Sequence, residues 1–191
     1  MTLDKLKKEL SHINEFVYFD EDDYLREKAS NLSKVNELIK AAEQMLNFCK
    51  IEEDQFFIQG ALGNLYRVSE CPKRSIYYLE QCYEYAVHHN DLKKEIVTLI
   101  RLGEAQKYAD QHERAINLFN EAIRKCKSFN ETKFLDFALQ HKGKCLLELK
   151  RFEEAESCLQ DAYALRLRKN SDELINSTKK AIDLLKFLKQ G

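Results

Sequence analysis

The chain has 191 residues, of which 44% are hydrophobic and 33% charged, and its formal net charge is −1 at pH 7. One proline and five glycines exclude a long disordered tail or linker, and the near-neutral charge argues against a chain built mainly to hold nucleic acid. No apolar run approaches the roughly 18 residues of a membrane span, and the opening MTLDKLKKEL has no apolar signal core, so we expect a cytoplasmic protein with no membrane partner.

The first 55 residues are predicted to form an N-terminal helix followed by a cap. Apolar residues recur at helical spacing over 3–18, which predicts one amphipathic helix: Leu3, Leu6, Leu10, Ile13 and Phe16 or Val17. The acidic run 20–23 lacks the glycine-containing pattern of a calcium loop, so we expect a solvated turn and no metal site. Residues 31–49 place Val35, Ile39 and Ala42 where the later repeats place their second helices, which indicates a degenerate capping unit.

A single unit is repeated three times after residue 55. Gly63, Gly103 and Gly143 are spaced 40 residues apart, and two further sets share that spacing: Ser75, Ala115 and Ala155, and Leu79, Phe119 and Leu159. Such a period is typical of a solenoid, in which each unit buries its apolar face against the next. The predicted units are 56–95, 96–135 and 136–170, followed by a C-terminal capping helix over 171–191.

Each unit has the apolar spacing of two antiparallel helices joined by a short polar turn. The second helices are predicted over roughly 72–88, 112–127 and 152–168. Glycine in a helix interior costs roughly 1 kcal/mol relative to alanine, so its recurrence predicts that another helix approaches closely there. Asn90, Asn130 and Asn170 lie between units, where asparagine tolerates a left-handed helix end. The fold class is therefore an all-α solenoid of helix hairpins.

The repeats resemble a known family, the tetratricopeptide repeats. The runs that carry the resemblance are ALGNLY from Ala61, RLGEAQ from Arg101, ERAINLFNEAI from Glu113 and FEEAESCLQDAYAL from Phe152. The usual period of the family is about 34 residues, and the spacing of 40 resembles its long-helix variants. Tyr66 keeps the consensus tyrosine, whereas Gln106 and Leu146 replace it in the later units.

The resemblance implies that the first helix of each unit lines a concave groove that binds a peptide. The expected groove residues, counted from the glycines, are Phe57, Asn64, Arg67, Val97, Ile100, Arg101, Glu104, Lys107, Phe137, Gln140, His141 and Lys144. Asn64, Arg101 and Lys144 are expected to hold a carboxylate or peptide backbone. Gly60 and Val97 occupy positions where chaperone-binding relatives would have lysines, so chaperone binding is not predicted.

Charge is distributed unevenly along the chain. Residues 1–55 carry 8 basic and 13 acidic side chains, and residues 56–191 carry 23 and 19. The acidic N-terminal segment could dock on the basic solenoid, the solenoid could attract an acidic partner, or the difference could be compositional scatter.

Motifs for catalysis are missing from the sequence. It has no phosphate loop, no GxGxxG, no HExxH and no GxSxG, and the six cysteines include no CxxC pair. We therefore expect no enzyme activity, no cofactor, no metal and reduced cysteines. The function predicted is a protein-interaction module, an adaptor or scaffold that binds a peptide segment of a protein partner. The alternatives are a regulatory peptide-sensing receptor of the bacterial long-repeat type and a self-associating repeat protein such as a homodimer.

Overall fold

Antiparallel helices that pack on one another in chain order form most of the protein. The computed structural model describes residues 2–190. Its α-helices are α1 (Leu3–Ser11), α2 (Leu32–Phe48), α3 (Glu52–Val68), α4 (Pro72–His88), α5 (Leu92–Tyr108), α6 (His112–Ser128), α7 (Leu135–Glu148), α8 (Phe152–Lys169) and α9 (Asp172–Gln190). Short 3-10 turns cover Ile13–Phe16 and Thr132–Phe134, and the strands β1 (Val17–Asp20) and β2 (Arg26–Ala29) pair antiparallel.

The predicted all-α solenoid is confirmed. The second helices α4, α6 and α8 begin at the predicted residues and end within one residue of the predicted ends. Each helix from α2 onward packs on the next, and α5 also contacts α3 and α7. One apolar cluster joins α1, α2 and α3, and a larger one extends from α5 to α9. The three first helices therefore lie side by side.

The recurring glycines lie where a second helix crosses closely. An alanine Cβ at each position would lie under 3 Å from a buried side chain of the next helix, and the three pairs are Gly63 with Leu79, Gly103 with Phe119 and Gly143 with Leu159. Real Cβ atoms do not approach neighbours so closely, so a larger residue would push the helices apart. The predicted close approach at these glycines is confirmed.

Every turn between helices from α3 to α9 contains one residue with a left-handed backbone. These residues are Glu70, Asn90, Asp110, Asn130, Lys150 and Asn170, with φ between 52° and 59°. The left-handed ends predicted at the three asparagines are confirmed, whereas those at Glu70, Asp110 and Lys150 were not predicted. A left-handed conformation costs a residue with a side chain about 1 to 2 kcal/mol. Hydrogen bonds that close the helix ends offset that cost, as in the 2.9 Å bond from Gln111 N to Gln106 O.

The prediction of one helix over 3–18 is wrong beyond Ser11. The chain continues through the 3-10 turn into β1, where Val17, Tyr18 and Phe19 pair with Ala29, Lys28 and Glu27. β-Branched and aromatic residues favour a strand, and the apolar spacing matched a helix only because Ile13 and Phe16 also pack on the α1–α3 cluster. The acidic run does form a turn, in which Lys28 Nζ lies 2.9 Å from both Asp20 Oδ2 and Asp23 Oδ2.

Candidate functional site

The concave face is formed by α3, α5 and α7, and a hairpin of the chain itself covers part of it. This hairpin, residues 17–29, places Leu25 in the core that α5 and α7 share, where only 5% of the residue is exposed. Strand β2 contacts the end of α3. The N-terminal segment thus docks on the solenoid, as one of the charge-based alternatives predicted.

A buried carboxylate at the end of α7 anchors the hairpin. Arg26 Nη2 donates a 2.6 Å hydrogen bond to Glu148 Oε2, and Lys107 Nζ lies 3.3 Å from Glu148 Oε1. His112 Nε2 lies 2.8 Å from the same carboxylate. Burial opposes ionisation of Glu148, but Lys107, Arg26 and His112 outweigh it and hold its pKa below the ordinary value. Glu148 therefore joins the hairpin to α5, α6 and α7.

Arg67 makes a second anchor at the end of α3. Its guanidinium pairs with Glu27 of the hairpin and donates a 2.9 Å hydrogen bond to the Tyr108 hydroxyl. That hydroxyl also accepts the backbone N–H of Glu27. Glu104 lies 3.8 Å from Arg67 and 3.1 Å from His141 Nδ1, so the network continues across α5 to α7. Burial opposes the charge on Glu104, but Arg67 and His141 lower its pKa well below the ordinary value.

Lys144 is a buried cation without a carboxylate partner. Its residue is 5% exposed, and Nζ donates a 2.5 Å hydrogen bond to the backbone carbonyl of Leu25. The ammonium also lies 5.1 Å from the centre of the Phe19 ring. Within residues 2–190 no carboxylate oxygen lies within 4 Å of Nζ. Burial, together with the nearby cation Lys107, lowers the pKa of Lys144 to about 7. The hairpin thus supplies Lys144 with neutral or aromatic partners only.

A cavity of about 410 Å³ opens beside Lys144, and we call it the C-terminal cavity. The hairpin forms one wall with Phe19, Leu25 and Glu27, and α9 forms another. The groove residues that line it are Glu104, Phe137, Gln140, His141 and Lys144. The Gln140 amide is already engaged, because it donates to Ser177 Oγ and accepts from Thr178 Oγ1.

A second cleft of about 510 Å³ lies between the first halves of α3 and α5, and we call it the N-terminal cleft. Its lining includes Leu10, Ile13, Phe56, Phe57, Gly60, Asn64, Lys93, Lys94, Val97, Arg101 and Phe134, and no acidic residue. Lys93 and Lys94 pair with carboxylates, whereas Arg101 is exposed and forms no ion pair within the described part of the chain. The cleft therefore combines aromatic walls with an available guanidinium.

The twelve predicted groove residues divide among these places. Phe57, Asn64, Val97 and Arg101 line the N-terminal cleft, and Glu104, Phe137, Gln140, His141 and Lys144 line the C-terminal cavity. Arg67 and Lys107 lie in the networks around the hairpin, and Ile100 is in the core. The structure does not bring the twelve together in one open groove.

Sequence reasoning missed the residues that hold the hairpin, namely Glu148, Tyr108 and His112. Tyr108 and Glu148 each lie five residues after a register glycine, so a comparison of the repeats at that position was the available signal. The partners of these residues on the hairpin are more than 80 positions away in sequence, and no local pattern indicates such pairs.

Metal and thiol chemistry find little support in the described residues. Residues 2–190 contain no group of three or more His, Cys, Asp or Glu side chains placed to hold a metal ion. The six cysteines are free thiols, and burial raises the pKa of Cys82 and Cys145 to about 12, which keeps them protonated. None of the helices within 2–190 combines the length and apolarity that crossing a bilayer requires.

Comparison with known proteins gives a fold. No protein-family model matches the chain, and neither does any curated protein sequence. Solved structures do match: the apo form of RapI has a TM-score of 0.70 at 13% identity over 97% of this chain. Kinesin light chain TPR-like repeats from Podosopora anserina give 0.62 at 11% identity over 98% of this chain and 96% of theirs. The fold is that of tetratricopeptide-like helical repeats.

A third tetratricopeptide-like match is the sensor-bearing STAND protein of Pyrococcus horikoshii, a signal transduction ATPase with numerous domains. Its TM-score is 0.66 at 15% identity over 95% of this chain. The chain spans 62% of RapI and 26% of the STAND protein, so both contain considerably more polypeptide. At these identities the similarities establish the tetratricopeptide-like fold.

Proposed function

We propose that this chain is a non-catalytic protein-interaction module whose concave face binds an extended peptide segment of a protein partner. The observation that carries the proposal is the hairpin itself. An extended stretch of polypeptide already lies on the concave face, with an apolar side chain buried, a carboxylate on Arg67 and a carbonyl on Lys144. A surface that accepts these groups from its own chain has the chemistry to accept them from another chain.

The N-terminal cleft is the part of this face that a partner reaches first. Phe56, Phe57 and Phe134 offer apolar walls, and Arg101 offers donors for a carboxylate or a backbone carbonyl. Asn64 Oδ1 accepts from Arg67, which turns the amide nitrogen of Asn64 to other acceptors. We propose that an apolar side chain and an acidic group of the partner bind here together.

The proposal is tested by photo-cross-linking in the native cell extract. A photoreactive residue at position 57 lies in the cleft, and one at position 77 lies on the outer surface, where Tyr77 is 60% exposed. We expect a partner to be captured from position 57 only and to be lost with Arg101→Glu. Arg124→Glu, a charge reversal on exposed α6, is the matched control and keeps the partner. Capture that is unchanged by Arg101→Glu contradicts the proposal.

A sensor is the second candidate, and the fold similarity to the STAND protein with a tetratricopeptide repeat sensor favours it. In a sensor, a short peptide changes the structure beyond its site, whereas in an adaptor the change stays local. Hydrogen exchange of α8 and α9 on addition of a captured peptide distinguishes the two. We also propose that the unit is a long-helix repeat of 40 residues and that the protein works in the cytoplasm.

Self-association is the third candidate, because apolar side chains are exposed at both ends of the solenoid. Phe48 is 85% exposed near the first end and Phe187 is 73% exposed near the other. Mass measurement in solution decides this candidate. A dimer that becomes a monomer with Phe187→Lys supports association through that end, and a monomeric wild type excludes it at the concentration measured.

A further inference from the structure

The hairpin occupies contacts that a peptide along the concave face would need. Its residues Phe19, Leu25 and Glu27 form a wall of the C-terminal cavity, and Glu27 takes the guanidinium of Arg67 at the end of α3. A segment that extended from the N-terminal cleft into the cavity would meet these side chains. The hairpin and a long peptide therefore compete for the same surface.

The hairpin depends on the solenoid for its order. Its strands have four residues each, and an isolated two-stranded hairpin is at best marginally stable in water. Tyr24 and Leu25 both have left-handed backbones, with φ of 51° and 58°, although neither is glycine or asparagine. Such strain persists only where surrounding contacts impose it. Tyr18 and Phe19 remain 47% and 41% exposed, so much of β1 is not buried.

The contacts that hold the hairpin are also contacts that a replacement could supply. Leu25 provides a buried apolar side chain, and Glu27, two residues later, provides a carboxylate to Arg67. Lys144 gains a carbonyl but no counter-charge from the hairpin. An extended acidic segment would match these groups and could add the missing charge at Lys144, because hydrogen bonds to a charged acceptor are stronger than those to a neutral one.

We propose that residues 17–29 are an intrasteric segment, which occupies the concave face until an extended partner segment with an apolar residue and a nearby carboxylate displaces it. This inference rests on the proposed function, since it names how access to the same face is regulated. While the hairpin is in place, a partner reaches the N-terminal cleft alone. When the hairpin leaves, Arg67, Lys107, Lys144 and Glu148 become available.

The test uses the hairpin's own sequence as the probe. A fluorescent synthetic peptide of residues 17–29 is titrated into the full chain, and binding is followed by anisotropy. In the wild type the tethered hairpin has an effective concentration near millimolar, so peptide at micromolar concentration does not compete. In Arg26→Ala/Glu27→Ala, which loses both anchors, we expect the peptide to bind at least tenfold more tightly than to the wild type. A peptide that carries Leu25→Ser and Glu27→Ala should not bind the opened variant.

Hydrogen exchange supplies the second measurement. The amides of residues 18–28 should exchange at least tenfold faster in the double variant, while those of α5 and α7 keep their wild-type protection. Glu21→Ala, a change at an exposed turn residue of the same hairpin, is the matched control and leaves both measurements unchanged. Tyr24→Pro provides a second opened variant, because proline cannot adopt the positive φ at that position and Tyr24 takes no part in the anchor networks.

Two results would overturn the inference. One is peptide binding that is equally weak in the wild type and in both opened variants. The other is hairpin exchange that occurs only with global unfolding, which would make residues 17–29 a fixed part of the fold. Neither result depends on the partner captured at position 57, so the inference can fail while the proposed function stands.

Discussion

At the scale of single residues, the register glycines differ in what surrounds them. A Cβ at Gly103 would lie 2.6 Å from Cε1 of Phe119, which is fully buried and cannot move aside. We expect Gly103→Ala to lower the free energy of unfolding by about 1 to 2 kcal/mol, because overpacking outweighs the better helix propensity of alanine. Urea denaturation measures the change.

Gly60 is the matched control for that substitution. A Cβ there would lie 3.2 Å from Nη1 of Arg101, the end of an exposed and flexible side chain. Gly60→Ala should therefore raise the free energy of unfolding by up to about 1 kcal/mol through helix propensity. Equal effects of the two substitutions would show that the helix crossing at Gly103 is looser than the structure indicates.

The left-handed turn residues give a second prediction at this scale. Lys150 is exposed, has φ of 57° and forms no ion pair within residues 2–190. Glycine adopts this conformation without strain, so Lys150→Gly should stabilise the protein by about 0.5 to 1 kcal/mol. Lys179→Gly, in the interior of α9 and also exposed, should instead destabilise it by about 1 kcal/mol. Thermal unfolding of the two variants should move the midpoint in opposite directions.

At the scale of elements, Glu148 joins the hairpin to three helices. Its side chain is 3% exposed and that of Lys107 is 1% exposed, so neutralising the carboxylate leaves a buried cation unpaired. We expect Glu148→Gln to lower the free energy of unfolding by about 2 to 4 kcal/mol. Glu154→Gln removes an exposed pair with Arg151 and should cost less than about 1 kcal/mol.

Acid should erase the difference between wild type and Glu148→Gln. Because the pKa of Glu148 is lower in the folded state, its contribution is complete above the ordinary value of 4.5 and is lost as pH falls through the folded value. The two denaturation curves should therefore converge below pH 4.5. A difference that stays constant down to acid unfolding would mean that the carboxylate charge is not what stabilises the fold.

The same element shows what could be predicted from sequence and what could not. The helix spans and the glycine crossings depend on contacts between neighbouring helices, and residue spacing records those contacts directly. Strand β1 was mistaken for helix because four residues are too few for a period of two to stand out from a period of 3.6. The bond between Arg26 and Glu148 joins residues 122 positions apart, so the covered groove was beyond any local pattern.

At the scale of the whole molecule, the concave face concentrates buried charge of both signs. Arg67, Lys107 and Lys144 lie there with Glu104 and Glu148, and the hairpin adds Arg26 and Glu27. This arrangement explains why the division of net charge along the sequence could not identify the docked segment by itself. Pairs of both polarities hold the hairpin, and Lys144 is the one described cation among them without a carboxylate within 4 Å.

Lys144 should therefore give the whole protein a distinctive stability profile with pH. The groups that face it are Lys107 and Glu104 on α5, Arg67 on α3 and Glu27 on β2, and burial with Lys107 lowers its pKa to about 7, against 10.5 in the unfolded chain. Between these values the unfolded chain binds the extra proton, so the free energy of unfolding should rise with pH, by at most about 1.4 kcal/mol per pH unit. Lys144→Met should remove this rise, whereas Lys142→Met on the same helix should keep it. Urea denaturation of the three proteins at pH 7 and pH 9 makes the comparison, and parallel behaviour of wild type and Lys144→Met would mean that Lys144 stays charged on the concave face.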